Sequence, residues 1–207
     1  MPIHREEIEN VLAAFEGIML RGYIPCNLTT GGTANYFGGP NPEKYVPKGA
    51  SGVTIACGLD LGQQSASGLR RMGLPAGLVN RFRPYLGKQG AAAVAALHAA
   101  PFSVSEEQCV VINAVVHADY IERAAALFDR NTGATPFADL PQQAQAVIVS
   151  LFYQLGSPFP TAGHPGYPKL YGCLCDGDWQ AAARELKTGF KRYPQRRAAE
   201  GALLEEI

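Results

Sequence analysis

The first apolar stripe of the chain predicts an N-terminal helix. Apolar side chains recur three or four residues apart over the first twenty residues, at Ile8, Val11, Leu12, Phe15 and Met19. This spacing places them on one face of an α-helix. We therefore predict a helix over residues 5–19, with Glu16 at the edge of its apolar face.

Apolar and small or polar positions alternate in a second segment, residues 52–63. If this segment is extended, one side is apolar, formed by Val53, Ile55, Cys57, Leu59 and Leu61. The other side carries Thr54 and Asp60, separated by two small residues. The pattern predicts a short β element with one face in the core and a polar edge open to a ligand.

Between these two segments, residues 21–52 are rich in Gly, Asn, Pro and Thr. This composition predicts a long loop, and loops of this length in compact domains are usually functional or disordered. Its aromatic residues favour a binding role, because rings stack on ligands at little entropic cost. They are Tyr23, Tyr36, Phe37 and Tyr45. A binding loop and a plain insertion both remain open.

Beyond Asp60 the pattern is helical. Ser105 and Gln108 form a capping-box signature, and Asp178 is a second N-cap candidate. The predicted helices cover residues 65–72, 76–85, 89–100, 105–129, 141–156 and 178–189, and a last one follows Pro194. The composition of residues 156–167 predicts a loop rich in Gly and Pro. We predict an α+β fold, mainly α, with a small β-containing lobe at about residues 17–64 and a larger helical lobe within one domain, 1–207.

Composition narrows the function classes. The 207 residues are 47% apolar and 17% charged, and 18 basic residues balance 18 acidic ones. A nucleic-acid-binding surface normally shows a basic excess, so we expect no nucleic-acid partner. No run approaches the roughly 20 apolar residues of a membrane span, and we expect no membrane contact. The polar N-terminus lacks the layout of a secretory signal, which predicts another route of delivery to any extracytoplasmic substrate.

Cysteine and histidine give no metal pattern. Five cysteines without paired spacing are not a disulfide framework, and Cys57 and Cys109 have the apolar neighbours of core residues. Cys173 and Cys175 lack the second ligand pair of a zinc site. We interpret His117, which follows two valines, as a half-buried core histidine. We therefore expect no metal and no cofactor.

Three polar side chains are candidates for catalysis. Glu16, Thr54 and Asp60 around one groove would suffice for acid–base hydrolysis of a glycosidic bond, which needs two carboxyl groups flanking that bond. Each has an ordinary explanation too: a solvated helix-edge glutamate, a strand threonine and a turn aspartate. The residues alone leave both interpretations open.

The order of these elements resembles the lysozyme-like muramidases of the phage type. A Glu at the end of the first helix, a short β region with Thr-x5-Asp and a helical remainder carry the resemblance. The segment Thr-Ile-Ala-Cys-Gly-Leu-Asp-Leu-Gly, residues 54–62, is most similar to the bacteriocin branch that contains the C-terminal domain of pesticin. There Thr precedes Asp by the same six positions, whereas common phage endolysins place the carboxylate first.

Three downstream segments extend the resemblance in the right order. Residues 150–156, Ser-Leu-Phe-Tyr-Gln-Leu-Gly, are similar to the Ser-Phe-Ala-Phe-Asn-Val-Gly of phage lysozymes. A Gly-Asp-Trp at 177–179 opens a similar helix, and Arg196-Arg197-x-x-Glu200 resembles the closing motif. Two features depart from the family: Gln154 replaces its usual Asn, and the segment between positions 16 and 54 is longer.

The resemblance implies a lysozyme-like fold and a muramidase that hydrolyses the β-1,4 bond between N-acetylmuramic acid and N-acetylglucosamine. Glu16 would be the general acid. Asp60 would be the base for water or the counter-charge to the oxocarbenium-like sugar, and Thr54 would help to fix the water. Peptidoglycan would be the substrate, and the site of action the bacterial periplasm or cell wall.

The resemblance also implies residues for substrate binding, namely Tyr153, Gln154 and Arg196. Arg196 could instead pair with Glu16, as a corresponding arginine does in phage lysozymes. The Thr–Asp order favours an antibacterial toxin or effector over an endolysin, with a cognate immunity protein as a further expected partner. We expect a monomer, delivered by a secretion system, toxin translocation or phage lysis.

Two other activities remain open on this scaffold. A lytic transglycosylase uses one acid and closes the muramyl ring without water. A non-catalytic wall-binding module would keep the scaffold for adhesion, although the presence of Glu16, Thr54 and Asp60 together counts against it.

Overall fold

The computed structural model describes residues 3–132, 135–160 and 165–207. Within these residues the chain forms nine α-helices and a small antiparallel sheet, so the predicted α+β class is confirmed. The helices are α1 (Arg5–Phe15), α2 (Ala66–Met72), α3 (Ala76–Phe82), α4 (Gly90–Ala99), α5 (Glu106–Thr132), α6 (Gln142–Leu155), α7 (Pro168–Asp176), α8 (Trp179–Gly189) and α9 (Pro194–Glu205). The strands are β1 (Met19–Leu28), β2 (Thr33–Tyr36), β3 (Tyr45–Pro47), β4 (Thr54–Ala56) and β5 (Leu59–Asp60).

The chain divides into two compact units. One contains residues 16–116; the other contains residues 1–15 and 117–207. The first unit extends well beyond the predicted lobe of residues 17–64, because α4 packs on β1 and β3. That the whole chain works as one lysozyme-like catalytic domain stays a prediction.

The sheet lies in the unit of residues 16–116. Its strand order is β2-β1-β4-β5, and β3 also pairs with β1. β1 is long enough to pair with three strands, and its buried positions alternate at Gly22, Ile24 and Cys26. This alternation is the period of a strand with one face in the core. β1 is therefore the strand on which the unit is organised.

The other unit is built around α6. Nine consecutive residues of this helix, 144–152, are buried. A helix that is buried on all sides forms the interior of its unit. α1 and α9 both pack against α6, and α8 packs against α9.

Most predicted helices are confirmed within a few residues. The capping box is present: Ser105 Oγ accepts from the Gln108 N–H at 3.2 Å, and Gln108 Oε1 accepts from the Ser105 N–H at 3.1 Å. Asp178 caps α8 by accepting from the Ala181 N–H at 2.9 Å. α7 was not predicted. Part of the predicted loop of residues 156–167 lies outside the described residues, namely 161–164. His164 is one of these four residues.

Two predictions for the N-terminal region are wrong. The first helix ends at Phe15, because Met19 already pairs with Ala56 in the sheet. Residues 21–52 hold β1, β2 and β3 instead of a loop, since their glycines fall largely in the turns between strands. The predicted short β element of residues 52–63 is confirmed, and it is a hairpin formed by β4 and β5.

Candidate active site

Three polar side chains form one row across the sheet. Tyr23 of β1 pairs with Thr54 of β4, and Thr54 pairs with Asp60 of β5. Directly opposed residues in antiparallel strands project from the same face of a sheet. Thr54 therefore lies between Tyr23 and Asp60, and we call these three residues the cross-strand row.

The turn of the hairpin creates this arrangement. Ala56 has φ 56° and Gly58 has φ 102°, both in the left-handed region. A buried alanine in this conformation is uncommon, and strained backbone of this kind concentrates at functional sites. The tight reversal between Ile55 and Leu59 brings two residues six positions apart into direct opposition. The Thr-x5-Asp spacing is thus the register of a hairpin.

Backbone groups hold the Asp60 carboxylate in place. Its Oδ1 accepts from the Gly62 N–H at 2.8 Å and from the Gly52 N–H at 3.1 Å. Burial raises the pKa of Asp60 above its ordinary value, and the backbone N–H groups, including those of Gly52 and Gly62, oppose that rise. Asp60 is therefore a carboxylate of fixed orientation in a partly desolvated place.

The close approach of these backbone groups requires glycine. A Cβ on Gly52 would lie 2.5 Å from Asp60 Oδ1, and one on Gly62 would lie 2.5 Å from the Lys88 carbonyl oxygen. Neither space can hold a side chain. The glycines at 52 and 62 thus let the backbone reach the carboxylate of Asp60.

We expect Gly62→Ala to destabilise the protein by about 2 kcal/mol, the range of substitutions that force a steric clash in a buried site. Gly77→Ala is the matched control: position 77 is exposed in α3 and an added Cβ meets nothing within 4 Å. This control should be neutral or slightly stabilising, because alanine is the better helix former. Urea unfolding of both variants measures the difference. Equal stabilities would contradict the tight packing at Gly62.

Thr54 is buried, with 6% of its surface exposed. Its hydroxyl donates to the Gly52 carbonyl oxygen at 3.4 Å, a long and weak hydrogen bond. A weakly held hydroxyl can exchange this partner for a water or a ligand oxygen at low cost. The group therefore suits a polar contact beside Asp60.

Glu16 lies in the bend between α1 and β1, in the same unit as the cross-strand row, and is half-buried. The negative charge of Glu16 affects the pKa of Tyr23. Burial raises the pKa of the Tyr23 hydroxyl, and Glu16, Cys57 and Asp60 raise it further through their negative charges. The two predicted catalytic carboxylates thus act electrostatically on one phenol.

The sequence did not single out Tyr23 for this position. The sequence indicates Tyr23 only as one of four aromatic residues in the predicted loop of residues 21–52. The available signal was the alternation of buried residues at 22, 24 and 26, which places position 23 on the opposite, polar face of a strand.

The residues that the resemblance implies for substrate binding lie in the other unit. Arg196 is buried: its Nη2 donates to Ser150 Oγ at 2.8 Å and its Nε to Glu200 Oε1 at 3.2 Å. Gln154 Oε1 accepts from Arg197 Nη2 at 2.6 Å. Burial raises the pKa of Glu200, against the opposing effect of the two arginines. The closing Arg-Arg-x-x-Glu motif is thus a buried ion-pair cluster, and sugar contacts by Arg196 and Gln154 stay predictions.

Tyr153 of α6 packs in an aromatic group. Its ring centroid lies 4.5 Å from that of Tyr120 and 5.8 Å from that of His117. His117 is buried and contacts the Glu9 carboxylate, which agrees with its interpretation as a core residue. A role for Tyr153 in substrate binding stays a prediction, as does a pairing of Arg196 with Glu16.

The described residues contain no group of three or more His, Cys, Asp or Glu side chains arranged to hold a metal ion. Cys57 and Cys109 are buried, as predicted for core residues. None of the described helices is both long and apolar enough to cross a membrane.

Comparison with protein families decides the relationship of the chain. Residues 21–180 match the family described as pesticin, a bacterial toxin homologue of phage lysozyme, C-terminal region. The match covers more than three quarters of the 207 residues. The chain belongs to the pesticin family. Comparison with curated proteins gives no match.

Membership in the pesticin family supports a muramidase-type toxin at the level of the family, and with it a glycoside hydrolase acting on peptidoglycan. The matched segment includes the cross-strand row, Tyr153 and Gln154. Glu16 lies before the matched segment and Arg196 after it. The family match therefore does not cover Glu16, and its catalytic role stays a prediction.

Proposed function

We propose that this protein is a peptidoglycan muramidase that hydrolyses the β-1,4 bond between N-acetylmuramic acid and N-acetylglucosamine. One observation carries the proposal: Thr54 and Asp60 are opposed in the hairpin, with the Asp60 carboxylate fixed by two backbone N–H groups. A glycosidase needs a carboxylate on the side of the sugar opposite its acid, and a hydroxyl beside that carboxylate can help to orient a water.

Glu16 is the proton donor in this proposal. It protonates the glycosidic oxygen as the bond to the anomeric carbon breaks, and positive charge develops on the sugar. Asp60 acts from the other side. It stabilises that charge or takes the proton of the attacking water, which Thr54 helps to orient.

The test is digestion of purified peptidoglycan followed by mass analysis of the soluble fragments. Hydrolysis yields free reducing ends at N-acetylmuramic acid. Ends in the 1,6-anhydro form would instead identify a lytic transglycosylase, and binding to the insoluble wall without release would identify a non-catalytic module. Either of these outcomes contradicts the proposal.

We expect Thr54→Ala to lower the rate of wall degradation by about 10- to 100-fold, because it removes a positioning contact and leaves both carboxylates in place. Thr54→Ser is the matched control, since it keeps the hydroxyl and should keep most of the activity. The initial rate of fragment release from purified peptidoglycan measures both. Equal rates for Thr54→Ala and the wild type would show that Thr54 has no role in catalysis.

Membership in the pesticin family supports the biological role in this proposal. An antibacterial toxin or effector that acts in the bacterial periplasm or cell wall fits a bacterial toxin homologous to phage lysozyme. A producing cell would need protection against such an activity, so a cognate immunity protein belongs to the same proposal.

A further inference from the structure

The cross-strand row continues to the end of β2. Ile24 of β1 pairs with Tyr36 of β2 in antiparallel register. The next pair of the same register is Tyr23 with Phe37, the residue that follows β2. The centroids of these two rings lie 6.2 Å apart. Phe37 therefore extends the row beyond Tyr23, on the side away from Thr54.

An arginine contacts the same pair of rings. The guanidinium carbon of Arg21 lies 5.2 Å from the centroid of the Phe37 ring, which is a cation–π contact. Arg21 and Tyr23 flank a buried position of β1, so both side chains project from the opposite, outward face of the strand. We call Arg21, Tyr23 and Phe37 the aromatic platform.

The backbone beneath the aromatic platform is fixed by pairing. The Gly22 N–H donates to the Phe102 carbonyl oxygen at 3.0 Å. Arg21 forms an antiparallel β-bridge with Ser103. Side chains on a paired strand hold a binding surface more precisely than side chains on a loop.

The aromatic platform can accept a ligand, and its charge is positive. Arg21 is exposed, and the rings of Tyr23 and Phe37 are half-buried. Within the part of the chain that the structure describes, Arg21 forms no ion pair. A guanidinium that stacks on a ring can still donate its N–H groups to a carboxylate.

These groups match the chemistry of a muramyl sugar. Ligand sites combine aromatic surfaces with a few polar groups that fix orientation, and the apolar face of a pyranose ring can pack on an aromatic ring. N-acetylmuramic acid also bears a lactyl group, which ends in a carboxylate or carries a stem peptide with carboxylates of its own. Two rings beside a guanidinium therefore fit the sugar and its acid together.

We propose that the aromatic platform is a sugar subsite: Tyr23 and Phe37 pack on a muramyl sugar that neighbours the cleaved bond, and Arg21 binds the carboxylate of its side group. This inference rests on the proposed muramidase function and names the part of the substrate that is recognised. Neighbouring strands lie about 4.8 Å apart, so the row from Asp60 to Phe37 spans roughly 14 Å, more than the width of one sugar ring. The platform thus lies beside the reacting bond and contributes to binding.

The test compares substitutions at the platform with matched controls. Arg21→Gln removes the charge. Arg192→Gln is its control: Arg192 is exposed, and its guanidinium carbon lies 5.5 Å from the centroid of the Tyr193 ring, so the same kind of contact is lost away from the sheet. Phe37→Leu removes a ring, and Phe37→Tyr keeps it. For each variant kcat, KM and the melting temperature are measured with soluble, un-cross-linked peptidoglycan strands.

We expect Arg21→Gln to raise KM about 5-fold, the upper range for an exposed ion pair. Phe37→Leu should raise KM about 3- to 10-fold, the effect of one aromatic contact. In both variants kcat should change little, because the contact is equal in the ground state and the transition state. Arg192→Gln and Phe37→Tyr should keep the KM of the wild type. Added salt should narrow the difference between Arg21→Gln and the wild type, because it screens an exposed charge.

Strands stripped of their stem peptides identify the carboxylate, because they keep only that of the lactyl group. If Arg21→Gln raises KM equally on these strands, Arg21 binds the lactyl carboxylate. If Arg21→Gln raises KM only on strands with peptides, Arg21 binds the stem peptide. Both results support a carboxylate contact at Arg21.

An unchanged KM in either Arg21→Gln or Phe37→Leu would overturn the inference, as would an equal rise of KM in Arg192→Gln. The muramidase proposal would stand in each of these cases. If the wild type releases no fragments, the muramidase proposal fails. The dissociation constants of the same variants for the same strands then decide the subsite by the same comparison.

Discussion

Glu16→Gln should abolish the degradation of peptidoglycan, lowering the rate by about 10³-fold, within the range that general acid catalysis contributes. Glutamine keeps the shape of the side chain and cannot give a proton to the departing sugar oxygen. The fold should be unaffected, because Glu16 lies in a bend outside both α1 and β1. The measurement is the initial rate of fragment release, together with a thermal unfolding curve.

Glu6→Gln is the control for this experiment. Glu6 is an exposed glutamate in the first turn of α1, so it offers the same chemical change away from the sheet. This variant should retain full activity. Full activity of Glu16→Gln as well would show that the proton donor lies elsewhere, and the assignment of Glu16 would have to be abandoned.

Asp60→Asn should lower the rate by about 10²- to 10³-fold, because the amide lacks the negative charge that a base or counter-charge requires. The amide oxygen can still accept from the Gly52 and Gly62 N–H groups, so the geometry of the hairpin is kept. Asp119→Asn is the control, since Asp119 lies on α5, where it forms an i,i+4 ion pair with Arg123. A rate near that of the wild type for Asp60→Asn would exclude an ionic role for Asp60.

The stability of Asp60→Asn has a predicted pH dependence. Burial raises the pKa of Asp60 in the folded state, so the folded state favours the protonated form. The contribution of Asp60 to stability is then fully present below its unfolded pKa and is lost as the pH rises through the folded pKa. Asparagine carries no charge at any pH. The variant should therefore gain stability relative to the wild type as the pH rises through this window, as urea unfolding at several pH values can measure.

The helices were largely predictable because their signals are local. The apolar run of α6, the capping box of Ser105 with Gln108, and the N-cap at Asp178 depend on residues within one or two turns of each other. α7 was not predicted because it is short, with nine residues, and Gly172 in its middle is a poor helix former. The end of α1 was misplaced because the pairing partner of Met19, Ala56, is distant in sequence.

The sheet was harder to predict, because its pairing is non-local. Pro25 and Asn27 in β1 are unfavourable in strands, and they hid the alternation of Gly22, Ile24 and Cys26. An alternating pattern also cannot reveal a reversal, so it does not place the turn at Ala56. The left-handed conformation of this alanine has no sequence signature.

The same reasons explain what was predicted of the site. Thr54 and Asp60 were chosen from their residue types and a family spacing, and the hairpin register gives that spacing a physical basis. Tyr23 joins them only through pairing between β1 and β4. The Arg-Arg-x-x-Glu motif is visible in the sequence, but Arg196 contacts Ser150 across 46 positions of the chain, and a local pattern cannot predict such a contact.

In the proposed mechanism Glu16 and Asp60 act on the same bond in one reaction. The most direct test is the rate of fragment release by the double variant Glu16→Gln/Asp60→Asn beside the two single variants. Residues that act as a unit give losses that do not multiply. We predict that the double variant is no slower than the slower single variant by more than a few-fold. A double variant whose loss is the product of the two single losses would mean that the two carboxylates act independently, and would contradict a shared active site.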